Sequence, residues 1–299
     1  MIRLFFRAAF FCMFAKKIKM KLIIDCGSTK ADWVLLDDKN IINKTQTEGF
    51  NPNYTDKEHI SRIALNNNLY STYLQDITHI FFYGSGCGNQ QNIEFIKDIL
   101  KSIFIHSEIH VYSDMIAACH AVSAHKKGIV CILGTGSNSC LFDGNEIIDK
   151  AVSLGYIIGD EGSGSHIGKS ILHDYLYKMM PDDLSSKIKT EYDIDVNSFI
   201  YNVYHSNKPS QYLASFAKIA IENKDNIYIK SLCTKCFDEF IDCFIMSYDK
   251  YHEKTVSFVG SIAYYFQDII KERLAIRNLI MGEVLKSPID GLIKYYLDC

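Results

Sequence analysis

KLIIDCGSTKADWVLLDDKNIINK, residues 21–44, reads as an apolar strand, a turn of small polar residues, a second apolar strand, an Asp-rich turn and an apolar pair. The same order returns as VCILGTGSNSCLFDGNEIIDK at residues 130–150. The offset is 109 residues at the glycines (27 and 136) and 106 at the isoleucine pairs (41 and 147). Two hairpins of one design, about a domain apart, predict a duplicated α/β fold with a cleft between its halves.

The rest of the chain fits that frame. Residues 79–83 and 109–112 read as short strands, with a helical pattern over 92–104 between them, and strands alternating with helices imply a partly parallel sheet. Beyond Asp160 the pattern turns mostly helical, at 165–180, 211–223 and about 227–251. A late strand at 255–259 ends in Gly260-Ser261 and starts another helix through Ile270. Four prolines and no low-complexity linker predict a hinge between the halves, not a tether.

Composition narrows the class. The 299 residues are 48% hydrophobic and 22% charged, ordinary globular usage that excludes a disordered or fibrous chain and gives a prior of two domains. Lys and Arg total 32 against 35 for Asp and Glu, a net charge of −3, so neither nucleic acid nor an anionic membrane is the expected partner. Ten cysteines lie mostly in apolar runs, the pattern of buried reduced thiols in a cytoplasmic protein. Cys233 and Cys236 form a C-x-x-C pair, but no second pair follows, and on a helix this spacing reads as two core positions. Residues 1–19 imitate a signal peptide, yet Arg7 interrupts the apolar stretch and no cleavage site follows cleanly. With Met20 directly before the first strand, the reading is an extension from an upstream start.

Four segments could carry chemistry. In Asp25-Cys-Gly-Ser-Thr-Lys30 a strand ends in an acid and turns through a glycine, which lets backbone N–H groups approach a phosphate while Ser28 and Thr29 add hydroxyls. Asp25 could hold Mg²⁺ through water. Alone this would be a plain turn; its second copy, Gly134-Thr135-Gly136-Ser137-Asn138, makes a pair able to grip a polyphosphate, although the Walker pattern is absent. Gly159-Asp-Glu-Gly-Ser-Gly164 can present Asp160 or Glu161 to sugar hydroxyls or a hydrated metal, and opens a helix whose N-terminus favours anions. Asp114, after a strand and before a good helix, reads locally as an N-cap worth about 1 kcal/mol, and alternatively as a general base at a strand's carboxyl end. Phe258-Val-Gly-Ser-Ile-Ala263 could let a base or ribose lie against Gly260 and Ser261, or be an ordinary strand–helix turn. His120 and His166 are assigned to packing or rim hydrogen bonds.

The order of these motifs, from about Met20 to Tyr296, resembles the BadF/BadG/BcrA/BcrD-type ATPase family, in particular its N-acetylglucosamine kinase branch, within the actin–hexokinase–Hsp70 superfamily. DCGSTKADW (25–33) is similar to the family's first phosphate loop, GTGSN (134–138) to its second, FVGSIA (258–263) to its adenosine loop, and SPIDGLIKY (287–295) to the ending of bacterial members; GDEGS (159–163) is its most specific signature.

The resemblance implies duplicated ribonuclease H-like (actin/hexokinase-type) α/β domains, over 20–115 and 116–299, enclosing a nucleotide cleft, with the last helix returning to the first domain. It implies ATP held by Gly27, Ser28, Thr29, Lys30, Gly134, Thr135, Gly136, Ser137, Gly260 and Ser261, and Mg²⁺ positioned by Asp25. It implies a sugar faced by Asn51 (Asn53 being second choice), Ser85, Asp114 and Asp160, with Asp114 taking the proton of the 6-hydroxyl. The implied activity is phosphorylation of an amino sugar, N-acetylglucosamine first, in a cytoplasmic enzyme that could be a homodimer. Alternatives are a kinase for glucosamine or N-acetylmuramic acid, and an ATPase activator of a CoA dehydratase. The glycine pair and tryptophan that mammalian-type N-acetylglucosamine kinases carry upstream of GDEGS are replaced by Ala151-Val-Ser-Leu-Gly-Tyr156, so the acetamido end of the pocket is not reproduced. The ROK cysteine motif is missing.

Overall fold

A computed structural model describes residues 19–27, 29–70, 72–123, 126–192 and 194–297. The leader expected over 1–19 therefore lies outside the described residues save Lys19, and so does Ser28 of the first phosphate turn.

The chain divides into two compact units, one ending at Asp114 and taking in Tyr296, the other running Met115–Tyr295. The first unit holds β1 (Met20–Cys26), β2 (Lys30–Leu36), β3 (Ile41–Glu48), α1 (Lys57–Leu65), β4 (Ile77–Gly84), α2 (Gln90–Ile103) and β5 (Glu108–Ser113). Its five-stranded sheet has the order β3-β2-β1-β4-β5: β1 is antiparallel to β2 and parallel to β4, and β4 is parallel to β5. β1 is apolar almost throughout because it lies centrally and is covered on both faces, whereas β3 alternates exposure as an edge strand does. Asp56 caps α1 through the His59 N–H and Asn89 caps α2 through the Asn92 N–H, and each helix buries an i, i+3, i+4 stripe: Ile60, Ile63 and Ala64, then Ile96, Ile99 and Leu100.

The second unit begins with α3 (Asp114–Ser123, its first residue belonging to the first unit), then β6 (Gly128–Leu133), β7 (Ser137–Phe142) and β8 (Ile147–Lys150). After α4 (Gly155–Ile158) and α5 (Gly164–Leu176) come α6 (Asp182–Tyr192), α7 (Val196–His205), α8 (Pro209–Ser215), α9 (Ala217–Glu222) and α10 (Ile227–Phe240). β9 (Thr255–Val259), α11 (Ser261–Tyr265), α12 (Gln267–Ile276), β10 (Ile280–Leu285) and α13 (Ile289–Leu297) complete it, apart from the last turn of α13. Its sheet order, β8-β7-β6-β9-β10, has the connectivity and strand directions of the first. The two hairpins are therefore equivalent pieces of one repeated topology, an α/β duplication of the actin/hexokinase type.

Several helical stretches differ from expectation. The helix expected to reach 180 stops at Leu176, where Lys178 (φ 56°) adopts the left-handed conformation and the Lys178 and Met179 N–H groups bond back to Tyr175 O and Asp174 O. The pattern over 211–223 breaks at Phe216, and α10 gives way to a π turn, Ile241–Ile245, well before residue 251. β10, an edge strand too short for a clear period, was not expected. Cys233 and Cys236 are core positions, and of the eight cysteines among the described residues only Cys243 is exposed. No helix among the described residues is long and apolar enough to cross a membrane.

Candidate active site

In the first unit, candidate residues gather at the carboxyl ends of β1, β4 and β5, where open α/β sheets present their ligands. The Gly27 N–H donates to Lys30 O at 2.9 Å at the end of the β1–β2 pair, with Thr29 exposed. Gly49 lies against this end so closely that a β-carbon there would stand 2.0 Å from Gly27 O, and its N–H donates to Thr29 O at 3.0 Å. The Cys26 thiol holds the next residue, accepting the Phe50 N–H and donating to Phe50 O, each at 3.4 Å. The chain leaving β3 is thus stapled to the phosphate turn and delivers Asn51.

The Asn51 carboxamide packs on Gly86: a β-carbon at Gly86 (φ 85°) would come within 2.3 Å of Asn51 Oδ1. Asn53 is engaged elsewhere, its Oδ1 accepting Asn92 Nδ2 at 2.8 Å. Ser85 donates its N–H to Cys26 O at 3.0 Å and its hydroxyl to Asp114 Oδ2 at 3.3 Å. Asp114 itself is the first residue of α3, where the helix dipole favours a carboxylate. One arrangement therefore brings together Asn51, Ser85, Asp114 and the first phosphate turn.

Asp25 faces Asp32 across the β1–β2 pair. Burial, then the Asp32 charge, push its carboxyl up to about 7; Lys30 opposes the rise and Asp114 adds to it. The Lys30 ammonium is taken by Asp32 at 3.0 Å, and Gln46 donates to the other Asp32 oxygen at 2.7 Å. Asp32 was missed in the sequence, although a hairpin joining β1 to β2 mirrors 25 onto 32 and signals the pair. A buried carboxyl facing a second carboxylate is a donor set suited to a hard divalent cation. Among the described residues no three His, Cys, Asp or Glu side chains converge as a cage.

In the second unit, the turn joining β6 to β7 is closed by the Gly134 N–H on Gly136 O at 3.0 Å. The buried Asp160 carboxylate accepts the Ser137 N–H at 3.3 Å and lies against Gly136, 3.0 Å from where a β-carbon would stand. Burial raises its proton affinity, an effect the Ser137 N–H opposes. Asp160 reaches this position with φ 58°, a strained conformation for a non-glycine residue. Ser137 Oγ, buried in the same turn, has no hydrogen-bond partner and so keeps an open valence within the segment read as a phosphate grip.

One expectation changes here. The N-terminus of α5 is not open to anions: the Gly164 and Ser165 N–H groups donate to Gly134 O (2.8 Å) and Thr135 O (3.0 Å), and the His166 N–H goes to Ser163 Oγ. The helix instead anchors the second phosphate turn. At the strand–helix turn, Gly260 (φ 127°) is required by its own scaffold, since a β-carbon would lie 2.1 Å from Leu133 O and 3.2 Å from Gly134 N. This close approach puts Gly260 and Ser261 beside the second phosphate turn. His120 stacks on Tyr295 with ring centroids 4.4 Å apart, the packing role expected for it.

A repeated sheet with a glycine-hydroxyl hairpin in each copy defines an α/β protein of the actin/hexokinase type. Residues 24–232 match the BadF/BadG/BcrA/BcrD ATPase family, and the chain belongs to it. The chain is similar to a provisionally named N-acetylglucosamine kinase from Porphyromonas gingivalis, at 34% identity and TM-score 0.88 over 93% of this chain and 98% of that one. A provisionally named N-acetylglucosamine kinase from Chromobacterium violaceum shares the fold at 15% identity and TM-score 0.72, covering 94% of this chain and 99% of that one. Component A of the (R)-2-hydroxyglutaryl-CoA dehydratase from Acidaminococcus fermentans shares it at 14% identity and TM-score 0.50, covering 94% and 97%. No curated protein sequence matches. Membership of an ATPase family carries ATP use with it.

Proposed function

We propose that this protein is an ATP-dependent kinase of an amino sugar, N-acetylglucosamine before glucosamine or N-acetylmuramic acid, yielding the 6-phosphate. The observation that carries the reading is the convergence of Asn51, Ser85 and Asp114 beside the Asp25–Lys30 turn. Similarity at 34% identity to the Porphyromonas protein supports it.

In this reading Gly27, Ser28, Thr29 and Lys30 are phosphate contacts of the first unit. Gly134–Ser137 are phosphate contacts of the second unit, where the Ser137 hydroxyl gains its missing partner, and Gly260-Ser261 border the adenosine. Asn51, Ser85 and Asp160 orient the sugar. Asp114, its Oδ2 already held by Ser85, receives the proton of the 6-hydroxyl as that oxygen attacks phosphorus. Phosphoryl transfer asks for positioning and charge neutralisation more than covalent chemistry, so residues fixed by backbone staples suit it. Mg²⁺ near Asp25 would supply charge neutralisation on the phosphates.

The activator reading needs cysteines able to reach a shared cluster, and seven of the eight described are buried in apolar surroundings. A coupled ADP-release screen over N-acetylglucosamine, glucosamine, N-acetylmuramic acid, glucose and water alone tests the proposal. Turnover dependent on an amino sugar is expected; equal ADP release in water alone would overturn it.

A further inference from the structure

His166 stands on α5, four residues after Gly162 and behind the turn that carries Asp160. Its Nδ1 accepts the Gly162 N–H at 3.0 Å, and its Nε2 lies 3.5 Å from Glu239 Oε2 on α10. The side chain is only 14% exposed. A backbone N–H can only donate, so Nδ1 must be unprotonated and the ring hydrogen sits on Nε2, toward Glu239. The turn it holds takes left-handed backbone twice in three residues, strained at Asp160 (φ 58°) and freely adopted at Gly162 (φ 70°). Gly162 cannot shift inward, since its α-carbon lies so near Phe240 that a β-carbon would be 2.7 Å from Phe240 Cβ. On the other side of the turn, the Asp160 carboxylate accepts the Ser137 N–H.

We propose that His166 is a positioning residue: in its neutral form it locks the Gly162 amide, and through that turn the Asp160 carboxylate at Gly136-Ser137, while a proton on Nδ1 releases the turn. Protonation would set an N–H against an N–H and leave the Gly162 donor unpaired. The charged groups acting on the ring are Glu239 on α10, Lys169 on its own helix and Glu161 in the turn; His173, Asp174, Lys235 and Cys236 line the same groove. Burial holds His166 below the usual histidine range, with Lys169 acting in the same direction and Glu239 and Glu161 against it. The folded state thus disfavours the proton, and release belongs to pH below the ordinary histidine value of about 6.5.

The activity arm of the test rests on the sugar-kinase reading; the exchange arm does not. Sugar KM and kcat are measured from pH 5 to 8 for the native protein, His166→Asn and His166→Leu. The Asn carboxamide oxygen can replace Nδ1 as acceptor and does not titrate. Leu is expected to raise the sugar KM about tenfold at every pH, the equivalent of ~1.4 kcal/mol. Asn is expected to stay within about twofold of the native protein at pH 8 and to lose the acid rise in sugar KM. In parallel, Gly162 amide exchange, normalised to the intrinsic rate at each pH, is followed by NMR in nucleotide-free protein. Protection should fall on acidification in the native protein, hold in the Asn variant and be low throughout in the Leu variant. Native protection independent of pH, or an Asn variant that loses it on acidification as the native protein does, overturns the proposal even if the Leu variant fails to fold. Exchange that behaves as expected, with no sugar phosphorylated by any variant, leaves the lock standing and sinks the kinase reading instead.

Discussion

Asp25→Asn should make the ligand-free protein more stable and the enzyme inactive. The carboxyl rises from 3.8 to about 7 in the fold, chiefly through burial and the facing Asp32. The unfolded chain ionises this group near pH 4, while the folded chain resists until about 7, so ionisation is a charge against the native state. The cost grows from pH 4 upward and levels off above 7. A shift of roughly three units corresponds to about 4 kcal/mol at pH 8, about 2 kcal/mol near pH 5.5 and under about 1 kcal/mol at pH 4. Asn keeps the shape and carries no charge. For a unit between the small and large domain classes each kcal/mol moves Tm by roughly 3–5 °C, so the variant should melt roughly 12–20 °C higher at pH 8 and within about 3 °C of native at pH 4. Differential scanning fluorimetry across pH 4–8 without nucleotide or Mg²⁺ measures this directly. A variant that melts lower than native at pH 8, or whose gain is the same at pH 4 and 8, would refute the reasoning. Addition of Mg²⁺ and ATP should narrow the gap, because the native carboxylate then has a cation to face.

Asp114→Ala should lower sugar phosphorylation by at least about 10²-fold while ATP affinity, read by calorimetry, changes less than about threefold; substantial residual turnover would remove Asp114 as the base. Asp160→Ala frees the Ser137 N–H of its acceptor and should raise the sugar KM or abolish activity, and an unchanged kinetic profile would exclude contact with the sugar. Gly260→Ala should cost about 2–4 kcal/mol, since φ is 127° and the new methyl group meets Leu133 O; a melting temperature equal to native would contradict the packing described.

The duplicated fold was legible because each hairpin carries its own turn chemistry between apolar strands, a local pattern that survives without knowledge of tertiary contacts. The strand at 255–259 was legible for the same reason, ending in a glycine that only a close backbone approach demands. Long helical stretches were harder: the breaks at Phe216 and after Phe240 interrupt apolar patterns that continue across them, so periodicity alone runs straight through. At the candidate site, residue types were visible but partners were not. Nothing local says that the first N–H groups of α5 are spent on Gly134 O and Thr135 O, because that bond joins segments thirty residues apart. Asp32 went unremarked for a different reason, since its significance lies in register, and register appears only once the turn length is assigned.

Tyr296 closes the aromatic face of the first unit, stacking on Phe81 with centroids 4.1 Å apart and sharing a 2.6 Å hydroxyl contact with Tyr83, a residue 213 positions earlier. The first unit to leave the ribosome therefore cannot be completed until residue 296 has been made. Until then Phe81 and Tyr83 lack the ring that packs on them, and a chain stalled short of residue 296 exposes aromatic surface that the folded unit covers.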